Sequence, residues 1–138
     1  YRHVGYYEEI TSMQKYYEEN LNFLNRNLRD EIFRKTNVYT KVKDSTPTRY
    51  GGNSICHNAL IADGCNIEGE VYNSIIFRGV TVGRGAVVKN CVLMQNTIIG
   101  ANASMNCIIT DKNVIIKDRR VLSGSENHPF YISKGTVI

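Results

Sequence analysis

Tryptophan is missing from this 138-residue chain, proline appears only twice, and none of the four cysteines is spaced as C-x-x-C. No apolar run approaches the roughly 20 residues a membrane-spanning helix requires, so no membrane association is expected. A surplus of charge of one sign is lacking too. The net charge of +4 is spread evenly, with 9 basic and 7 acidic residues in 1–50 and 8 basic and 6 acidic in 51–138. Without a basic stripe or a tryptophan platform, nucleic-acid binding is not expected. No G-x-S-x-G, Walker or G-x-G-x-x-G motif is present. Val82-Gly83-Arg84-Gly85 reads as a chain corner, because no helix follows it to receive a phosphate. His3, His57 and His128 lie far apart with no ligand at metal-binding spacing, which argues against a zinc site. Cys56, Cys65, Cys91 and Cys107 read as reduced packing residues of a cytoplasmic protein. Neither an initial Met nor a signal-like segment is found, and the expectation is a chain that begins inside a longer protein.

What the chain does have is a repeat. Asparagine, a small residue and two branched residues recur as Asn58-Ala59-Leu60-Ile61, Asn73-Ser74-Ile75-Ile76, Asn90-Cys91-Val92-Leu93 and Asn106-Cys107-Ile108-Ile109, at spacings of 15, 17 and 16. Six residues after the last branched residue of each unit comes another: Ile61 to Ile67, Ile76 to Val82, Leu93 to Ile99, Ile109 to Ile115. A helix needs apolar residues every three or four, and a hairpin sheet needs alternation broken by tight turns. A beat of six nested in a period near sixteen predicts instead a mainly β fold, a left-handed parallel β-helix with three short faces per coil. These eight branched residues should point inward and stack. Glycine and asparagine should hold the corners, where positive φ or close backbone approach is needed.

The flanks read differently. Residues 1–10, YRHVGYYEEI, have strand-forming composition. Thr11 with Gln14 forms a capping box, and Met13, Tyr16, Tyr17, Asn20, Leu21, Leu24 and Leu28 make one helical stripe suited to packing on the next domain. Val38–Val42 reads as a short strand, Ser45-Thr46-Pro47-Thr48 as a turn, and Gly51-Gly52-Asn53 as a flexible joint. The tail from Ser123 to Ile138 is expected to close the last coil as a hairpin or cap. The units expected are 1–36, 37–53 as a linker, and 54–138 as the β-helix with its cap.

Gly5-Tyr6-Tyr7 followed by Tyr16-Tyr17-Glu18-Glu19-Asn20-Leu21-Asn22-Phe23-Leu24 resembles the GYW…DVGT-I…SYWEAN-DLL segment of bacterial ADP-glucose pyrophosphorylases (glucose-1-phosphate adenylyltransferases). Val38-Tyr39-Thr40 with Pro47-Thr48-Arg49-Tyr50 is similar to that family's linker. Asn73-Ser74-Ile75-Ile76-Phe77, Val82-Gly83, Cys107-Ile108-Ile109-Thr110-Asp111-Lys112-Asn113 and Lys134-Gly135-Thr136-Val137-Ile138 resemble its β-helix domain. The resemblance implies a strand and helix from the end of a nucleotidyltransferase domain, then a linker, then the whole β-helix. It also implies a part in making ADP-glucose from ATP and glucose 1-phosphate, with magnesium for the parent reaction and no cofactor held by this chain. Where the catalytic family has Asp-Val-Gly-Thr, with an Asp that helps hold magnesium, this chain has Glu9-Ile10-Thr11-Ser12. That departure is similar to the regulatory-type glycogen biosynthesis subunit, and Glu9 becomes a degenerate metal position with no catalytic residue expected here. The implied partners are a catalytic ADP-glucose pyrophosphorylase subunit, in a homo- or hetero-oligomer, and a sugar-phosphate effector. Lys112, lying in the matched Asp-Lys-Asn motif, with Arg49 or Lys134, is the candidate anion site, since Arg grips phosphate bidentately and Lys as a point charge. Two rival readings stand beside this: a hexapeptide-repeat acyltransferase with His57 as general base, and a β-helix used only for oligomerisation.

Overall fold

Branched residues six apart can stack only if the backbone turns at the same places in every coil. The computed structural model describes residues 2–35, 37–40 and 42–138. From Arg49 onward it winds as a parallel β-solenoid of about four turns. One face is built from β1 (Arg49–Tyr50), β3 (Asn66–Ile67), β5 (Thr81–Val82), β8 (Ile98–Ile99) and β11 (Ile115–Ile116), paired in that order. A second face takes the first halves of β2 (Ile55–Ile61) and β4 (Glu70–Ile76), then β6 (Val87–Lys89), β9 (Ser104–Asn106) and β12 (Val121–Ser123). The third takes the second halves of β2 and β4, then β7 (Val92–Leu93), β10 (Ile108–Thr110) and β13 (Phe130–Ile132). Ile67, Ile76, Val82, Leu93 and Ile99 are buried in the interior as expected, and Ile61 packs partly buried at the open lower end. Each fully buried aliphatic side chain is worth about 1.5–3 kcal/mol of transfer free energy.

The corner between the second and third faces shows why asparagine repeats. Asn58, Asn73 and Asn90 have φ of 49°, 46° and 50°, a left-handed conformation that Asn tolerates better than most residues. Their amides form a ladder, Asn58 Nδ2 donating to Asn73 Oδ1 at 2.9 Å and Asn90 Nδ2 to Asn106 Oδ1 at 3.0 Å. In the last unit the register moves by one. Cys107, not Asn106, takes the left-handed corner at φ 53°, while Asn106 remains the end of β9 and still terminates the amide ladder. Ile109 therefore pairs with Val92, and Thr110 with Leu93. This corrects two of the expected inward positions. Ile109 is buried but on the outside of the third face, and Ile115 is 37% exposed beside Ile98. Thr110 and Ile116 occupy the interior in their place. The buried Thr110 hydroxyl is satisfied by the Thr97 hydroxyl at 3.0 Å and by the Met94 N–H at 3.3 Å.

The short 15-residue coil has its own device. Two residues, Glu68 and Gly69, lie between Ile67 and Glu70, where the next coil has four between the paired Val82 and Val87. The shortcut passes through Gly69, where a Cβ would lie 2.4 Å from the Ala86 carbonyl oxygen and 2.7 Å from that of Gly83. Only glycine permits that approach.

The tail does not form a closing hairpin. β13 adds in parallel to β10, and Val137 bridges in parallel to Ile115, so residues after 123 continue the winding. Only the tight turn joining Ser125 and His128 is antiparallel. Ile132 is buried, and Leu122 and Ile138 pack on the upper end of the core.

The N-terminal part departs from a strand and one helix. Residues 2–12 form no strand, and the stripe is divided between α1 (Met13–Asn22) and α2 (Arg26–Lys35). Ser12 rather than Thr11 caps α1, its Oγ accepting the Lys15 N–H at 3.0 Å. The break comes where Asn25 Oδ1 accepts the Asn27 N–H at 2.9 Å, a cap that competes with helix continuation. Of the expected strand Val38–Val42, Lys41 lies outside the described residues and the others are not in a strand. Tyr1 and Thr36, at the ends of the expected 1–36 unit, also lie outside them. Pairing on the first face begins at Arg49 within the expected linker. No helix among the described residues is long and apolar enough to cross a membrane.

Candidate functional site

The joint between α1 and the third face brings the flank onto the solenoid. Tyr17 is 2% exposed, packed with Val92, Cys107 and Ile109, and its hydroxyl donates to the Asn90 carbonyl at 2.7 Å. Burial is the main cause that raises the Tyr17 pKa, with the neighbouring Cys107 adding to it. Burial also pushes the Cys91 thiol up to about 12, so it remains a packing thiol. A second clasp lies on the other side of α1. Glu19 is 6% exposed and receives Lys15 Nζ at 2.7 Å, the Tyr6 hydroxyl also donating to it. Lys15 reaches Glu8 as well, at 2.9 Å. The Glu19 pKa is lowered, first by Lys15 and then by Tyr6.

Between residues 10–13 and Tyr16 on one wall and Met94, Ile109, Asp111 and Tyr131 on the other lies a cavity of about 470 Å³. Asp111 is held in place: its Oδ1 accepts the Lys112 N–H at 2.7 Å and its Oδ2 accepts the Tyr131 hydroxyl at 3.2 Å. Burial is the first cause of the raised Tyr131 pKa, the bond to Asp111 the second. Tyr16, half-buried beside them, is raised chiefly by burial.

The corner between the third and first faces carries the candidate cations. Asp63, Arg78, Gln95, Lys112 and Lys134 occupy equivalent positions on successive coils, each of the first four accepting through its carbonyl the N–H of the glycine or asparagine one residue further on in the coil above. Arg78 pairs with Asp63, Nε to Oδ1 at 3.2 Å. Gln95 Oε1 is buried there without a hydrogen-bond partner among the described residues. Lys112 and Lys134 are both exposed and neighbours on this corner. Arg49 is not with them, standing four rungs from Lys112 along the first face, roughly 19 Å at about 4.8 Å per rung. Glu9 is exposed on the segment that enters the cavity wall, and His57 is exposed within β2 opposite Tyr72. Among the described residues no three His, Cys, Asp or Glu side chains gather to hold a metal ion. The residues missed from sequence are Tyr16, Asp111 and Tyr131 as one group. Asp111 stood in the matched motif, but only the pairing of β10 with β13 brings Tyr131 to it.

These features define a hexapeptide-repeat solenoid with an attached helical flank. The family model described as "GlmU-like, C-terminal hexapeptide" matches residues 42–138, and the chain belongs to that family. Over 138 residues, 99% of this chain and 40% of the relative, it is 40% identical to "Glycogen biosynthesis protein GlgD" of Bacillus subtilis. It is 39% identical over 118 residues to the protein of the same name from Geobacillus stearothermophilus, covering 85% of this chain and 34% of that one. Against a "Glucose-1-phosphate adenylyltransferase" of Fervidobacterium nodosum it is 35% identical over 122 residues, 86% of this chain and 29% of the relative. The resemblance to the ADP-glucose pyrophosphorylase family expected from the sequence is borne out. The chain spans 40% or less of the length of these relatives.

Proposed function

We propose that this chain is the C-terminal β-helix portion of a regulatory-type glycogen biosynthesis protein, contributing subunit assembly and effector response to ADP-glucose synthesis. The observation that carries the reading is the docking of α1. Residues 9–12 lead directly into a helix whose Tyr17 is locked into the third face, so a shift at the solenoid is felt beside Glu9. Coupling of two sites through such a packed element is what an effector response requires. The likeness to GlgD over nearly the whole chain supports the same reading. Glu9-Ile10-Thr11-Ser12 replaces Asp-Val-Gly-Thr, and the longer carboxylate beside a branched Thr11 suits magnesium poorly, because that ion demands near-ideal octahedral geometry. The catalytic partner subunit supplies the chemistry and its magnesium, in the cytoplasm, within a hetero-oligomer. A sugar-phosphate effector binds at Lys112 and Lys134; their shared corner supports that pair over Arg49. Coils of 15 and 17 residues and a His57 inside a strand, not on a protruding loop, disfavour the acyltransferase reading.

The test assays ADP-glucose formation by the full-length protein, by its catalytic partner, and by the mixture. The lone protein is expected to be at least about 100-fold slower, as misplacement of a reacting group by about an ångström produces. The mixture should respond to sugar phosphates, and Lys112→Ala should weaken that response without unfolding the protein. Full activity of the lone protein, unchanged on mixing, returns it to the catalytic class.

A further inference from the structure

We propose that the cavity under the start of α1 is a binding site for a neutral pyranose sugar, such as a glucosyl unit of an oligosaccharide. The inference goes beyond the regulatory reading and does not rest on it. The volume of about 470 Å³ suits one or two sugar rings. Its walls are largely apolar and include Met94, Ile109, Tyr16 and Tyr131. Such surfaces fit the C–H faces of a pyranose, and the tyrosines have the amphipathic character that sugar recognition uses.

The polar groups decide the charge of the ligand. Among the described residues, Asp111 is the only charged side chain that lines the cavity, and no Lys or Arg does. A phosphate would meet that carboxylate unscreened, so a phosphorylated sugar is disfavoured here. A cation would be drawn to Asp111, but Ser12 and Met13 place the positive end of α1 on the opposite wall, which opposes it. A neutral polyol satisfies both walls, because each hydroxyl can donate to the carboxylate and accept from a backbone or Thr11 donor. Asp111 is prepared for this. The Lys112 N–H and the Tyr131 hydroxyl each occupy one lone pair of a different oxygen and fix the carboxylate plane, leaving the second lone pair of each oxygen for a ligand. The site is separate from the exposed lysine corner, where Lys112 and Lys134 are the cationic groups and no lining residue is shared.

The experiment titrates the chain with maltotriose, glucose 1-phosphate and tetramethylammonium, following the methyl resonances of Met94 and Ile109 by NMR. Saturable shifts with maltotriose are expected, with a dissociation constant on the order of a millimolar. Asp111→Asn, which keeps the acceptor for the Lys112 N–H but loses the charge, should weaken maltotriose binding about tenfold with an unchanged melting temperature, as loss of a charge-assisted bond predicts. If that variant fails to fold, Tyr131→Ser at the half-exposed ring serves instead and should weaken binding similarly. The proposal is overturned by no saturable shift up to about 50 mM maltotriose, some fifty times the expected constant. Tighter binding of glucose 1-phosphate or tetramethylammonium at the same resonances overturns it too, as does wild-type affinity in both variants.

Discussion

Neighbouring isoleucines in the last coils have opposite fates, and the difference is measurable. Ile98 and Ile115 point outward at 43% and 37% exposure, whereas Ile99 and Ile116 are buried at 1% and 0%. Ile116→Asp or Ile99→Asp places an uncompensated carboxylate in the stack and should unfold much of the solenoid, while Ile115→Asp should leave the melting temperature within a few degrees. Thermal unfolding followed by circular dichroism separates these outcomes, and equal loss in Ile115→Asp would restore the unshifted register. Gly69 offers a second residue-scale test. Adding one methyl at a point 2.4 Å from a carbonyl oxygen forces backbone movement, because the obstacle is main chain rather than a flexible side chain. Gly69→Ala should therefore cost about 1–3 kcal/mol in denaturant unfolding, the usual range for overpacking.

At the scale of elements, the question is what holds α1 and the N-terminal segment to the solenoid. Tyr17→Phe removes the donor to the Asn90 carbonyl and should cost about 0.5–1.5 kcal/mol, with the ring's packing retained. The clasp of Tyr6, Lys15 and Glu19 depends on pH in a definite direction. The folded-state Glu19 pKa lies below its ordinary value of 4.5, so its contribution is complete above that value and disappears as the pH falls through the lower folded value. Tyr6 is raised from 10.0 to about 12, chiefly by its bond to Glu19, so its contribution is complete below pH 10 and is lost as the pH rises through about 12. The docking of the Tyr6 ring on α1, followed by its ring-proton NMR shifts, should accordingly be most complete between about pH 5 and 10. Glu19→Gln should flatten the acid side of that profile, and an unaltered acid limb in the variant would show that the clasp is not what holds the segment.

On the scale of the whole molecule, much of the solenoid is legible in the chain itself. Stacked coils repeat one local conformation, so the same residue types recur: Asn58, Asn73 and Asn90 at left-handed corners, and branched residues at the inward positions beside them. Five of the eight expected inward residues are fully buried in the core, because each coil stands on the one before and a six-residue beat leaves little choice of facing. The Asp-Lys-Asn motif was legible as well, but not its surroundings. Lys112 and Lys134 are neighbours only because β13 adds in parallel to β10, and a hairpin tail would have parted them. Asn106 misled for a physical reason. It keeps the amide ladder while surrendering the corner to Cys107, and that choice is set by hydrogen bonds to the coil below.

The sequence by itself determined the parallel winding, the corner chemistry and the inward ladder up to Ile99, since these follow from backbone preference and side-chain period within a single coil. Tertiary structure decided the one-residue shift at Cys107, the continuation of the tail as a further coil, and the covering of the third face by α1. It also assembled Tyr16, Asp111 and Tyr131 around one cavity. These depend on pairings between segments tens of residues apart, where a shift by one residue exchanges interior for surface and no local preference distinguishes the two.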